Sequence, residues 1–273
     1  MNPFDLRRVK AKGVASLVVP TMFAPVDLHQ SLKRHTASMT DAGLLVVDRP
    51  EIQEVTQGAP LDWNVWLKFC APCYDISPDV NDYVLFPAQI MISDLPNRNT
   101  VGFPLKVLTA WHRDAGMPAY RLWRGQPTFV EHDNKDHRKA SGVIIDVALR
   151  KLVGYGTDAK PLYKLLFLMA VDRTKNPTLA TAILKKEYGM VSMGAYVDGY
   201  SCSVCNAELG RCSHLNPNAA FDFYINSNNE LVFRQVFGIT PFECSVVDVG
   251  AFPTSTFQQT IDVRTGDVIW NDR

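Results

Sequence analysis

The sequence predicts a strand-rich α+β fold with a few helices, built on an antiparallel sheet or barrel. Three observations carry that reading. From residue 127 onward, short runs rich in Val, Ile, Phe and Tyr recur between turn residues. Only one segment, "NPTLATAILKKEYG" (176–189), has a strong helical pattern. The last part of the chain reads as hairpins, which join antiparallel strands.

Taken in order, "DYVLFPAQIMIS" (82–93) reads as one or two strands interrupted at Pro87. "PLKVLTAWHRDAG" (104–116) reads as a short amphipathic helix closed by Gly116. "PTFVEH" (127–132) and "GVIIDVAL" (142–149) read as strands. "YKLLFLMAV" (163–171) is either a buried strand or a helix, because a continuous apolar run has no period to separate them. In 176–189, Asn176 can cap the free N–H groups, Pro177 suits the first turn, and Gly189 can close the helix. "MVSMGAYV" then returns to extended structure. "AAFDFYINSNNELVFRQVF" (219–237) reads as a hairpin around Asn226–Asn229. "PFECSVVDV" (241–249) is a further strand and "TIDVRTGDVIW" (260–270) a final hairpin. Residues 1–125, irregular and rich in proline, are expected to form an N-terminal region. Residues 126–273 form the core, with a cysteine-rich loop at 202–214.

The 273 residues carry 28 basic and 28 acidic side chains, a balance that argues against a nucleic-acid partner. The longest apolar run, "LLFLMAV" (165–171), is far short of the roughly 18 residues a membrane helix needs. Prolines interrupt the apolar stretch behind the basic start, so no signal peptide is expected there. In that setting the six cysteines favour thiols or a metal over structural disulfides.

Ser192, beside Gly194 in "YGMVSMGAY", is either a small residue in a buried strand or a nucleophile where a strand leaves the core. A serine hydroxyl attacks only when a base takes its proton, so it needs a histidine close in space. The candidates are His29, His35, His112, His132, His137 and His214. His132 is the best placed, at the end of a strand where a polar loop begins. His137 reads as a surface residue of that loop. Asp146, on the next strand, is the candidate to orient the imidazole and stabilise its charged form.

The ordered series "FVEHDN…GVIID", "NPTLATAILKKEYGMVSMGA", "CSVC" and "PFECSVVDVGAFPTS" resembles the prohead (capsid maturation) proteases of tailed bacteriophages. It includes a strand ending in His, a helix leading into a Ser-Met-Gly strand, and a Glu-x-Ser-x-Val step. The resemblance covers roughly residues 127–255. It implies an assemblin-like fold, an antiparallel β-barrel-like core with surrounding helices related to that of herpesvirus maturation proteases, and a serine endopeptidase that cleaves scaffold and capsid proteins inside the immature shell. Ser192 then matches the nucleophile and His132 the base; Asp146 is the third member, with Asp172 and His214 as rivals. The implied partners are scaffold and capsid substrates, with neither nucleic acid nor membrane. The implied place is the prohead interior, assembled in the host cytoplasm. The alternative is an inactive virion structural or interaction protein on the same fold, stabilised by a zinc knuckle.

Cys202, Cys205, Cys212 and His214 bring four zinc-type ligands within thirteen residues, enough for one closed tetrahedral site. The other reading is a set of ordinary thiols. No cofactor is expected for catalysis, and any zinc would be structural. If His214 binds metal it leaves the list of catalytic candidates. Cys70 and Cys73 lack the βαβ surroundings of a redox pair and read as thiols.

Overall fold

The computed structural model describes residues 63–270, apart from 114, 158–159, 216–222 and 258. Residues 1–62, with His29, His35 and the basic start, lie outside the described residues, as does the beginning of the 219–237 segment. The fold is mixed α+β, mostly strands with few helices.

One large sheet organises the chain. Strand β1 (Tyr83–Ile92) pairs antiparallel with β7 (Lys160–Asp172), and β7 with β6 (Gly142–Thr157). The short β5 (Pro127–Val130) joins β6 to β11 (Arg234–Val247), antiparallel to the first and parallel to the second. β11 pairs along its length with β8 (Met190–Cys202), and its first residues meet β2 (Val101–Gly102). On the far side, β12 (Gln259–Asp262) pairs with β1 and with β13 (Val268–Trp270).

Among the described residues, the sheet is not closed by a ladder between strands. A strap, Ser255–Phe257, spans from β8 to β1 instead. Val191 N–H donates to the Ser255 carbonyl at 3.0 Å, Phe257 N–H to Gly189 at 3.1 Å, and Gln89 N–H to Thr256 at 2.9 Å.

Both faces of the central strands are buried, which explains why "YKLLFLMAV" shows no alternation. Helix α1 (Trp63–Tyr74) lays Leu67, Ala71 and Tyr74 over Leu85, Val143, Leu168 and Ile261 on one face. The other face carries Phe86, Ile144, Phe167 and Met169. It is covered by Leu179 and Ile183 and by the inward residues of β8 and β11, including Val191, Val236 and Val246. At Gly142 the strands run so close that a Cβ would collide with the Ala170 carbonyl.

Several expectations change. β1 is a single strand, with Pro87 aligned with Leu168 beyond the stretch where β12 pairs. β1 lies inside the main sheet, so the boundary at 125/126 cuts through one structure and separates nothing among the described residues. The 104–116 helix shrinks to α2 (Leu105–Leu108). Beyond it β3 (Trp111–His112) and β4 (Met117–Pro118) form a hairpin, and Gly116 supplies its positive φ of 65°. The chain leaves the helix at Ala110, whose carbonyl accepts from Ala119 N–H at 2.8 Å, a bond to the hairpin side in place of a further helical turn.

Helix α3 (Pro177–Leu184) starts as expected, the Asn176 side chain accepting from Leu179 N–H. It stops before Gly189 because Lys186 takes the left-handed conformation, φ 65°. The Asn226 turn joins β9 (Tyr224–Ile225) and β10 (Leu231–Val232), while "PFECSVVDV" belongs to the longer β11.

Asn176 also donates from its side chain to Ser141 Oγ at 3.0 Å, tying the helix start to β6. Asn176→Ala is expected to lower stability by about 1 kcal/mol. Thermal unfolding checks this, with a fall in Tm of roughly 2–4 °C.

Candidate active site and cysteine cluster

β5 ends at Val130, and the next two residues, Glu131 and His132, both take left-handed φ values of 47° and 57°. Two consecutive non-glycine residues in that region cost about 1–2 kcal/mol each. The surroundings hold them there. Glu131 N–H donates to the Val246 carbonyl at 3.0 Å, and its carboxylate accepts from Asp248 N–H at 2.7 Å. Asp133 N–H reaches back to Val130 at 3.0 Å, and Asn134 N–H to His132 at 2.7 Å. The outcome is an imidazole turned onto the neighbouring strand.

That strand is β11, and the group it meets is Glu243. The His132 Nδ1 to Glu243 Oε1 distance is 2.9 Å. The His132 side chain is 42% exposed and that of Glu243 is fully buried, so the carboxylate is shielded while the ring keeps an open side. The hydrogen bond to Glu243 raises the His132 pKa above the ordinary imidazole value, against the opposing effect of burial. Glu243 aligns with Gly194 on β8, where a Cβ would run into Oε1. Two residues on, Ser245 aligns with Ser192. Directly opposed residues share a face of the sheet, so Ser192, Gly194, Glu243 and Ser245 form one patch.

Ser192 is buried at 8% exposure, and it lines a cavity of about 550 Å³ together with His132. Met193, Ala195, Val236 and Phe252 supply much of the apolar wall. Of the sequence-expected residues, Ser192 and His132 are therefore brought to one cavity. Ser245 is no rival nucleophile, since it is fully buried and its hydroxyl is donated to Glu243.

Asp146 does not meet His132. Its carboxylate is buried beside Arg124, at 3.4 Å, and accepts from Val147 N–H at 2.8 Å. Burial pushes the Arg124 pKa down to about 10. Asp172 is engaged elsewhere as well, accepting from the N–H groups of Ser77, Thr174 and Lys175 at 2.6, 2.7 and 3.1 Å. The carboxylate on the imidazole is Glu243, which sequence reasoning missed. The signal was present, as an acidic residue inside the otherwise apolar strand "PFECSVV".

His214 lies with the cysteines. The ligand atoms of Cys202, Cys205, Cys212 and His214 all fall within 4.8 Å of one another. His214 Nδ1 is buried without a hydrogen-bond partner, as expected of a nitrogen placed for a metal. Cys202 Sγ accepts from Val204 N–H at 3.4 Å, and Tyr224 O–H holds the His214 carbonyl at 2.9 Å. The Cys212 thiol sits below the ordinary value. Burial opposes that shift, and the N–H groups of Leu215 and His214 with the neighbouring thiols outweigh it. Three thiols and one imidazole converging this way can hold a metal such as zinc.

Cys70 and Cys73 stand apart on α1, and burial pushes both thiols up, Cys70 strongly. No disulfide involves any of the six cysteines.

Because Glu243 raises the His132 pKa, any stability this contact adds is fully present below the ordinary imidazole pKa. It is lost as pH rises through the higher, folded value. Glu243→Gln is expected to move the His132 titration to lower pH, read from the imidazole signals in an NMR pH series. An unmoved midpoint would show that the carboxylate does not govern the ring. The chain matches no protein-family model, no curated protein and no solved structure.

Proposed function

We propose that the chain is a serine endopeptidase that cleaves scaffold and capsid proteins during maturation of a virus prohead. The observation that carries the proposal is the His132–Glu243 hydrogen bond on the strand next to Ser192, with Ser192 and His132 lining one cavity. A carboxylate on Nδ1 fixes the proton there and leaves Nε2 as the base. In the proposed reaction Ser192 Oγ attacks the scissile carbonyl while His132 Nε2 takes the hydroxyl proton. His132 then gives that proton to the leaving amine, and water repeats the sequence on the acyl-enzyme. Glu243 stabilises the imidazolium that forms at each stage. The strapped sheet supports an assemblin-like barrel as part of the same proposal, and the resemblance supplies the substrates and the prohead interior as the place of action.

The proposal extends to one structural zinc on Cys202, Cys205, Cys212 and His214. Four protein ligands leave no open position for water, so the metal would take no part in hydrolysis. Its role is to fix the 202–215 loop, which follows directly from the strand that carries Ser192.

Hydrolysis should require the neutral imidazole, so the rate should rise with pH through the elevated His132 titration. Ser192→Ala is expected to fold normally and to lose about 10⁴-fold or more in turnover. A fluorophosphonate probe should label wild-type protein at Ser192, located by peptide mass spectrometry. Full proteolysis by Ser192→Ala would reject the nucleophile. An unlabelled, inactive wild-type protein would return the non-enzymatic virion role.

Elemental analysis is expected to find about one zinc per chain, with retention reduced in Cys205→Ser. Metal-free purified protein whose 202–215 loop is as ordered as before would reject the zinc.

A further inference from the structure

We propose that Ser245 is a positioning residue for His132, acting through Glu243. The inference rests on the reading of Ser192, His132 and Glu243 as a hydrolytic site. Glu243 is fully buried, and its two oxygens have different partners. Oε1 faces His132 Nδ1 at 2.9 Å, and Oε2 accepts from Ser245 Oγ at 2.6 Å. Among the described residues, no lysine or arginine forms a salt bridge with this carboxylate.

A buried carboxylate has few ways to satisfy its lone pairs, so the group that binds one oxygen decides where the other points. Ser245 and Glu243 are two residues apart on β11, so both side chains stand on the same face. Ser245 is as buried as Glu243, and its backbone is anchored by ladders on both sides, beside Phe129 of β5 and Ser192 of β8. Gly194 leaves the carboxylate room to rotate that a larger residue would deny. The hydroxyl is therefore the contact that stops rotation and keeps Oε1 on the imidazole. The consequence lies in the tautomer of His132. A neutral ring can carry its proton on either nitrogen, and the partner of Nδ1 decides which. With Oε1 held in place the proton stays on Nδ1, and Nε2 keeps its lone pair. If Oε2 loses its donor, the carboxylate turns and that preference weakens.

The test is ¹⁵N NMR of the His132 ring at a pH above its titration, assigned by difference with His132→Gln, beside kcat and KM on a peptide substrate. Wild type is expected to show the Nδ1–H tautomer. Ser245→Ala is expected to lose that preference and to lower kcat about tenfold, with KM nearly unchanged. Ser245→Thr, which keeps a hydroxyl, should recover the Nδ1–H signature. Ser245→Cys, close in volume and weaker as a donor, should fall between wild type and Ser245→Ala. An Nδ1–H tautomer unchanged in folded Ser245→Ala would overturn the role of Ser245 and leave the hydrolytic reading standing. A tautomer change in a protein whose wild type hydrolyses nothing would support the role of Ser245 and overturn the hydrolytic reading.

Discussion

The antiparallel ladder between β8 and β11 sets the positions of Ser192, Gly194, Glu243 and Ser245, the surface onto which His132 is brought. Its register opposes Ser192 to Ser245 and Gly194 to Glu243. A slip of one residue would send Ser192 to the other face, because side chains alternate along a strand. Several features hold the register. Val191 and Val246 are paired and both belong to the apolar core, so slippage would expose them. The irregularity between Pro241 and Glu243 absorbs one residue before the site begins. β5 then docks on the other edge of β11 and delivers His132 from the far side.

The strained turn at Glu131 and His132 has a place in this arrangement. β5 runs parallel to β11 with Val130 beside Val246, so a continued regular strand would have carried the next residues alongside Val247 and Asp248, away from Glu243. Two left-handed residues end the strand abruptly and bring the ring back toward the carboxylate. Strain of this kind persists only where neighbouring contacts fix the backbone. Here the fixing contacts are the bonds from Glu131 to Val246 and Asp248.

Much of the local structure was legible in the sequence, and much of the pairing was not. Helix α3 announced itself through Asn176 and Pro177, whose capping roles depend only on neighbours along the chain. β7 did not, because burial on both faces erases the alternation that marks a strand. The 104–116 helix failed because a short apolar cluster fits two templates, and packing chose a hairpin after one helical turn. His132 and Ser192 were found as residue types in suggestive positions, helped by the resemblance. Asp146 and Glu243 look alike in the sequence, each an acid inside an apolar strand. Each promised a buried carboxylate with a partner, and only the three-dimensional pairing gave Arg124 to one and His132 to the other. The cysteine cluster was the easiest part to read, since its four ligands lie in one loop and need no distant strand.

The strap at Ser255–Phe257 bears on the order in which the molecule comes into being. Its bonds to Gly189, Val191 and Gln89 join parts of the chain made early to a segment made late. β1 likewise waits for β7 and then β12, and Glu243 is synthesised long after His132. Contacts so distant in sequence close slowly and cannot close at all before the later partner exists. A ribosome releasing this chain from its N-terminal side would expose His132 and Ser192 well before the carboxylate, and the strap last of all. The candidate site thus becomes whole only after Glu243 and the strap have both been made.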